Sequence, residues 1–130
     1  MKHTMNQETS NGEAGRLLTC SALLADSPTF KHVLDFAFRM EAKLAKNRHK
    51  GDRSGWMKDH PWNLVERILD ETVEVQECFA TDGAGETWLV KTPEQTADEC
   101  ADVANFCMMT ADRVMSANAE SSHAGAETPN

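Results

Sequence analysis

The chain has 130 residues, a hydrophobic fraction of 40% and a formal net charge of −8, which is enough sequence for one domain with one modest core. A negative balance argues against a general nucleic-acid-binding protein, which would carry a surplus of basic residues. No apolar run approaches the roughly 18 residues that a membrane span requires, and the N-terminal region shows no continuous apolar segment typical of a signal peptide. We therefore expect a cytoplasmic protein with neither a membrane nor a nucleic acid as its partner.

The two ends of the chain differ in composition from the middle. The N-terminal residues are polar without a helical period, and the last residues are rich in Ala, Ser, Glu and Gly. Such segments bury too little apolar surface to offset the entropy of ordering them. We predict a partly disordered or short helical segment over residues 1–27, one folded domain over 28–116 and a disordered tail over 117–130.

The first predicted helix begins at Ser27, an N-cap residue that is followed by a proline at the first helical position. Apolar residues then recur at helical spacing from Phe30 to Leu44, and we expect the helix to end near Asn47. Glu41 falls in the middle of this apolar arc. Because a buried carboxylate needs a partner, Glu41 is a candidate for a substrate contact or a structural salt bridge.

Two more helices follow, each with a proline at a plausible first position. The second begins near Pro61 and runs to about Ala80, where a Gly-rich segment interrupts the pattern. The third begins with a capping box from Thr92 to Gln95 and continues to about Met115. Both have the start signals of long helices.

The predicted fold class is all-α. No segment shows sustained apolar–polar alternation, and the short run Trp88–Val90 cannot form a sheet alone. Three to four main helices in one chain bury their apolar faces poorly. We therefore expect a helical bundle that is completed by oligomerisation, as a homodimer or a homotetramer.

The second and third predicted helices each carry a pair of carboxylates at i, i+3. The pairs are Glu71 with Glu74 and Glu99 with Asp102, and this spacing places both side chains of a pair on one helix face. At about 100° per residue, each pair lies at the margin of its helix's apolar stripe. Packing the two stripes together would bring four carboxylates into one place.

Four carboxylates at close range raise one another's pKa, so they cannot all stay ionised without a counter-charge. Bound divalent cations would supply that counter-charge. All-oxygen ligands suit Mg²⁺, with Mn²⁺ as a substitute, and are a poor match for zinc or copper. A di-iron bundle would require Glu-x-x-His motifs on core helices. In this chain that spacing occurs at Glu120 and His123, within the tail. We therefore expect two or more Mg²⁺ ions at the acidic residues.

At these residues the sequence resembles the MazG-like all-α nucleoside triphosphate pyrophosphohydrolases. The signature of that family is E-x-x-E followed by E-x-x-D on the next helix, and here the two motifs are separated by residues 75–98. Asp70 occupies the place of a further acidic residue that family members commonly carry. The resemblance covers roughly residues 30–115, and it implies that the folded domain over 28–116 is a MazG-like catalytic domain. The stretch from Lys43 to Trp56, with residues 101–109, looks like a phage-encoded branch, which would place the protein in a host cytoplasm.

The resemblance implies an activity and a set of residue roles. A metal-activated water would attack the α-phosphorus of a nucleoside triphosphate and release a nucleoside monophosphate and pyrophosphate. The implied metal ligands are Glu71, Glu74, Glu99 and Asp102, and either Glu71 or Glu74 would orient or deprotonate the water. Some phage relatives, including the MazZ-type diphosphohydrolases, act on dATP and dGTP, so purine deoxynucleotides are the favoured substrates.

Several residues are candidates for holding the substrate. Lys50 and Arg53 lie in a basic segment after the first helix, predicted as a loop, where they could neutralise phosphate charge. Trp56 could stack on a base, and Asn47 begins the same segment. Asn105 follows Asp102 by nearly one helical turn, so a sugar contact and an ordinary hydrogen bond within the bundle are both plausible.

Two alternatives remain open at this point. The first is a pyrimidine-directed dUTP or dCTP pyrophosphatase of the same superfamily. The second is a non-catalytic helical interaction module whose acidic cluster binds a basic partner or a structural ion. The module would have no nucleotide activity to lose when Glu71 is changed to Gln, whereas the enzyme would lose turnover.

Overall fold

The computed structural model describes residues 26–124. The chain divides into two compact units, Met1–Ala37 and Phe38–Asn130, and the predicted N-terminal segment up to residue 25 lies outside the described residues. The elements in chain order are α1 (Phe30–Lys46), a 3₁₀ turn (Arg48–Lys50), α2 (Arg53–Lys58), α3 (Pro61–Gln76), β1 (Phe79–Thr81), β2 (Thr87–Leu89) and α4 (Pro93–Ala124). Helices dominate, which confirms the all-α fold class.

Helix α1 begins three residues after its predicted N-cap. The Ser27 Oγ accepts from the Thr29 amide at 3.4 Å, and the first helical residue is Phe30. The predicted apolar face is partly wrong. Val33 and Phe38 are 64% and 66% exposed, whereas Met40 and Leu44, also on the predicted face, are partly buried. The packed face of α1 in the second unit is rotated so that it also contains two basic side chains, Arg39 and Lys43.

The segment between α1 and α3, predicted as a loop, contains a short helix. Gly51, at a φ of 143°, ends the 3₁₀ turn in a conformation that L side chains rarely adopt. Asp52 then caps α2, since its Oδ1 accepts from the Ser54 amide at 3.0 Å and from the Ser54 hydroxyl at 2.7 Å. The cap fixes the backbone of the basic segment that was expected to be irregular.

Helix α3 begins as predicted and ends earlier. Pro61 is its first residue, and the ring of His60 accepts from the Trp62 amide at 3.2 Å. The helix ends at Gln76 instead of Ala80, because residues 79–81 form β1, which pairs antiparallel with β2 in the register Phe79 to Leu89. The run at Trp88 therefore does have a strand partner, contrary to the prediction.

Helix α4 begins with the predicted capping box. The Gln95 amide donates to the Thr92 hydroxyl at 3.1 Å, and the Gln95 side-chain oxygen accepts from the Thr92 amide at 3.0 Å. The helix continues to Ala124, well beyond Met115. Residues 117–124, predicted to belong to a disordered tail, are therefore helical, and the remainder of that tail lies outside the described residues.

The packing of α3 against α4 provides the core of the second unit. Leu64, Cys78 and Ala101 are its buried apolar residues, and two polar residues, Glu71 and Asn105, are buried among them. Burying polar groups costs free energy unless they are paired, so these two residues require partners or a functional reason for their burial. Within residues 26–124, no helix is both long enough and apolar enough to cross a membrane.

Candidate functional site

Three carboxylates from α3 and α4 meet at one point. One carboxylate oxygen each from Glu71, Glu99 and Asp102 lies within 4.8 Å of the others. Glu71 comes from the buried face of α3, and the other two come from consecutive turns of α4. The packing of these two helices thus brings together residues that are far apart in the sequence. We refer to these three side chains as the acidic triad.

Glu74, the fourth acidic residue of the predicted pair of pairs, does not belong to the triad. It is exposed and lines the cavity that the triad also lines. No ion pair of its carboxylate occurs within the described part of the chain. Glu74 therefore faces the same space as the triad with a carboxylate that remains free for a ligand.

Glu71 is the most buried member of the triad, at 7% exposure. Its Oε1 accepts from Arg67 Nη2 at 3.0 Å. Loss of solvent raises the pKa of the Glu71 carboxyl, and the charges of Glu74, Asp102 and Glu99 raise it further against the opposing charge of Arg67. Keeping this carboxylate ionised at neutral pH therefore costs folding free energy.

Each of the other two triad residues has a lysine as its counter-charge. Lys43 Nζ lies 2.6 Å from Asp102 Oδ2, and Lys91 Nζ lies 3.3 Å from Glu99 Oε1. Burial acts to lower the pKa of Lys43, but its hydrogen bond to Asp102 and the nearby carboxylates outweigh burial, so the net shift is upward. The hydrogen bond to Glu99 raises the pKa of Lys91. The positive side chains of Arg67, Lys43 and Lys91 thus balance the negative charges of the three triad carboxylates.

The triad forms part of the wall of a cavity of about 560 Å³, a volume typical of small-molecule sites. Four of the six predicted substrate-binding residues also line it: Asn47, Lys50, Trp56 and Asn105. The cavity is polar around the triad, and its other lining residues include several large apolar side chains. These are Leu44, Trp56, Leu64, Phe106 and Met109.

Arg53, predicted to contact phosphate, does not line the cavity. Its guanidinium forms two hydrogen bonds of 2.9 Å with the Asp112 carboxylate. The same carboxylate accepts from Trp56 Nε1 at 2.9 Å. Arg53 therefore helps to fix α2 on α4 through Asp112, and Asp112 fixes the indole of Trp56 at the cavity wall.

Glu41 occupies a different environment from the one predicted. It is exposed, does not line the cavity, and pairs with Arg48 Nη2 at 3.3 Å. The expectation that it is buried in an apolar arc is wrong, because the face of α1 that carries it is exposed. Of the two roles considered for Glu41, the structure shows a salt bridge, and it places the side chain away from the triad.

Asn105 is buried at 3% exposure beside the triad. Its Nδ2 donates to the Met40 backbone carbonyl at 3.1 Å, which connects α4 to α1. Its Oδ1 is buried and has no hydrogen-bond partner within residues 26–124. Asn105 therefore combines a structural hydrogen bond with an unsatisfied acceptor at the cavity wall.

Sequence reasoning missed the basic residues that face α4. Arg39 and Lys43 are spaced i, i+4 on α1, and they pair with Asp98 and Asp102, which have the same spacing on α4. Matching charges at this spacing are the signal that could have identified the packed face of α1. The signal was missed because apolar periodicity alone was used to choose that face.

The chain matches no family model, no curated protein and no solved structure in the three comparisons. The features that indicate a function are therefore those of its own side chains. These combine a charge-balanced acidic triad, an adjacent free carboxylate and a cavity with both polar and apolar walls.

Proposed function

We propose that this protein is a Mg²⁺-dependent nucleoside triphosphate pyrophosphohydrolase of the MazG-like kind. The observation that carries the proposal is the convergence of Glu71, Glu99 and Asp102, with carboxylate oxygens within 4.8 Å of one another, on the wall of a cavity large enough for a nucleotide. The resemblance of the two acidic motifs to the family signature supports the same activity.

The residues present fit a divalent cation. The donor set consists entirely of carboxylate oxygens, which Mg²⁺ and Mn²⁺ prefer. Glu71, Glu99 and Asp102 would hold the metal, and Glu74 would add a fourth carboxylate from the cavity wall. Bound Mg²⁺ would supply charge neutralisation at the phosphates and would activate water. The Lys43 and Lys91 contacts show that these acids already attract positive charge at close range.

The protein's own groups can perform the remaining parts of the hydrolysis. Glu71 or Glu74 orients the attacking water and accepts its proton. The water oxygen bonds to the α-phosphorus while the bond from that phosphorus to the bridging oxygen breaks, and pyrophosphate leaves with the electron pair. Lys50, on the cavity wall, can neutralise charge on the departing phosphates. The reaction needs no oxidant or reductant.

The apolar part of the cavity provides a place for a base. The Trp56 indole is held by its hydrogen bond to Asp112, so its ring is oriented before a ligand arrives, and ordering it on binding costs little. Phe106 lines the cavity and contacts Arg67, whose guanidinium carbon lies 5.2 Å from the ring centroid. Large aromatic surfaces suit a purine, and the resemblance to phage relatives that act on deoxynucleotides favours dATP and dGTP as the proposed substrates.

The experiment that tests this function is hydrolysis of eight canonical nucleotides, four ribo and four deoxy, by the full chain with Mg²⁺. Pyrophosphate and the nucleoside monophosphate are quantified with and without EDTA, and Mn²⁺ is supplied in a parallel series. We expect pyrophosphate release from purine deoxynucleotides that EDTA abolishes. Preference for dUTP or dCTP would replace the purine assignment, and no release from any nucleotide would leave the non-catalytic interaction module as the explanation.

We also propose that the protein assembles as a homodimer or homotetramer through the exposed apolar stripe of α3. Leu69 and Val73, spaced i, i+4, are 61% and 50% exposed, and Trp62 on the same helix is 59% exposed. Monomeric proteins seldom expose contiguous apolar patches of this kind, and a second copy would cover them.

The molar mass of the protein, measured by light scattering as it elutes from a size-exclusion column, tests this assembly. We expect a mass of two or four chains for the unmodified protein and of one chain for the Leu69→Glu/Val73→Glu variant. The matched control is Val114→Glu, a single substitution of the same kind at an exposed residue of α4, which should leave the mass unchanged. A monomeric parent protein would contradict the proposal.

A further inference from the structure

One polar atom at the cavity is left unexplained by the metal site. Asn105 Oδ1 is buried and lacks a hydrogen-bond partner among the described residues, although the residue lines the cavity. Buried polar atoms are almost always satisfied in folded proteins, and an exception calls for a ligand or another specific cause. Because the residue lines the cavity, a bound molecule that displaces the side chains now covering Oδ1 can supply the missing donor.

The hydrogen bond made by the NH₂ group of the Asn105 side chain shows which kind of group the unsatisfied atom needs. The Met40 carbonyl is an acceptor, so the group 3.1 Å from it must be the Asn105 NH₂, and the oxygen must be the unsatisfied atom. An amide oxygen accepts hydrogen bonds and cannot donate one. A phosphate oxygen is excluded as its partner, whereas a hydroxyl group fits.

The position of Asn105 on α4 indicates which hydroxyl. Along one side of the helix the cavity-lining residues run from Asp102 in the triad to Asn105 and then to Met109. At 1.5 Å per residue, Asn105 lies about 4.5 Å and Met109 about 10.5 Å along the axis from Asp102. The order of acid, amide and apolar side chain parallels the order of phosphate, sugar and base in a nucleotide.

We propose that Asn105 Oδ1 accepts a hydrogen bond from the 3′-hydroxyl of the nucleotide sugar. This inference rests on the proposed function, because it assumes that the phosphates lie at the triad. The 3′-hydroxyl is the ring hydroxyl shared by ribonucleotides and deoxyribonucleotides. The site would therefore require an intact 3′-hydroxyl, and this contact by itself does not distinguish the two sugars at the 2′ position.

Four adenine nucleotides that differ in the sugar alone test the inference: ATP, dATP, 3′-deoxy-ATP and 2′,3′-dideoxy-ATP. We expect loss of the 3′-hydroxyl to lower kcat/KM about tenfold, the size of one hydrogen bond made to an otherwise unsatisfied group. Loss of the 2′-hydroxyl should have a much smaller effect. If the eight-nucleotide panel shows a preference for another base, the same four sugars are compared on that base.

The Asn105→Leu variant locates the effect at this side chain. We expect its kcat/KM for dATP to fall to the level for the dideoxy substrate, so that the ratio between the two substrates approaches one. Thr110→Val, five residues further along α4 and bonded to the Phe106 carbonyl within the helix, is the control and should keep the parent's ratio. A purely structural role of Asn105 would lower both rates and leave the ratio unchanged.

If the leucine variant does not fold, the four-sugar series on the parent protein tests the inference by itself. Equal hydrolysis of dATP and its dideoxy analogue by the parent protein would overturn the inference and leave the proposed function intact. A requirement for the 2′-hydroxyl in place of the 3′-hydroxyl would overturn it as well. Failure to hydrolyse any nucleotide would instead overturn the proposed function on which it rests.

Discussion

Glu71→Gln is expected to abolish nucleotide hydrolysis and, at the same time, to raise the melting temperature of the metal-free protein. The side chain is 7% exposed and belongs to the acidic triad. Removing its charge takes away one ligand of the proposed metal site and one candidate proton acceptor, so we expect kcat to fall by about 10²–10⁴-fold. The same change relieves the folded protein of a carboxylate that is held in a poorly solvated position.

The sign of the stability effect follows from the direction of the pKa shift. Burial, and then the neighbouring carboxylates, raise the pKa of Glu71 above its ordinary value of 4.5. The folded state therefore binds this proton more tightly than the unfolded state does. The contribution of Glu71 to the free energy of unfolding of the metal-free protein therefore falls as the pH rises from about 4.5 through the raised pKa. Glutamine does not titrate, so the variant should lack this part of the pH dependence.

Thermal unfolding in EDTA between pH 4.5 and pH 8 measures this difference. The two proteins should have similar melting temperatures at the acidic end, and the variant should be more stable at neutral pH. Glu77→Gln, an exposed position just after α3, serves as the charge-matched control and should change neither activity nor the pH profile. A less stable Glu71→Gln variant would show that the ion pair with Arg67 outweighs the burial cost, and it would contradict the predicted sign.

The parts of the fold that were predictable are those that local chemistry determines. Pro61 and the capping box at Thr92 set the beginnings of α3 and α4, because a proline ring and a side-chain cap act on neighbouring residues alone. The i, i+3 spacing of each acid pair follows from helix geometry in the same way. Given two packed helices, this spacing was sufficient to predict that acids from both would come close together.

The features that were missed depend on partners distant in the sequence. The end of α3 is set by the pairing of Phe79 with Leu89. No local signal in residues 77–81 distinguishes a strand from one more turn of α3. The packed face of α1 is set by pairs such as Lys43 with Asp102 across the second unit. Apolar periodicity included part of this face, such as Leu44, but it centred the packed face on side chains such as Val33 and Phe38, which are exposed in the single chain.

The membership of the triad also required the packed structure. The helical-wheel argument placed Glu71 and Glu74 together at the margin of an apolar stripe. In the structure Glu71 is buried and Glu74 is exposed, because the packed face of α3 is centred closer to Glu71. The sequence pattern therefore identifies the four acids without ranking them, and burial distinguishes Glu71 from the others.

Lys43→Met is expected to make the metal-free protein less stable and to increase the stabilisation that Mg²⁺ provides. Lys43 Nζ lies 2.6 Å from Asp102 Oδ2, and both side chains are largely buried, at 21% and 20% exposure. Methionine keeps most of the aliphatic stem and removes the charge. Asp102 would then face the carboxylates of Glu71 and Glu99 without its counter-charge, which should cost about 1–2 kcal/mol of folding free energy.

Divalent cations should reverse that loss. A ligand that binds the folded state alone stabilises it by mass action, by about 2.7 kcal/mol when its free concentration is 100 times Kd. In the parent protein Mg²⁺ must displace or tolerate the ammonium group of Lys43, whereas in the variant it meets a more negative site. The melting temperature should therefore rise with Mg²⁺ in both proteins, by a larger increment and at a lower Mg²⁺ concentration in the variant.

Titrating each protein with MgCl₂ during thermal unfolding measures the two increments, and NaCl at equal ionic strength accounts for general screening of charge. Lys31→Met is the matched control, because its pair with Asp35 at 3.7 Å is solvent-exposed and should contribute little. Equal increments in the parent and in Lys43→Met would mean that the cation does not bind at Asp102. A smaller increment in the variant would mean that Lys43 holds Asp102 in its binding position, since competition between the lysine and the metal predicts the opposite order.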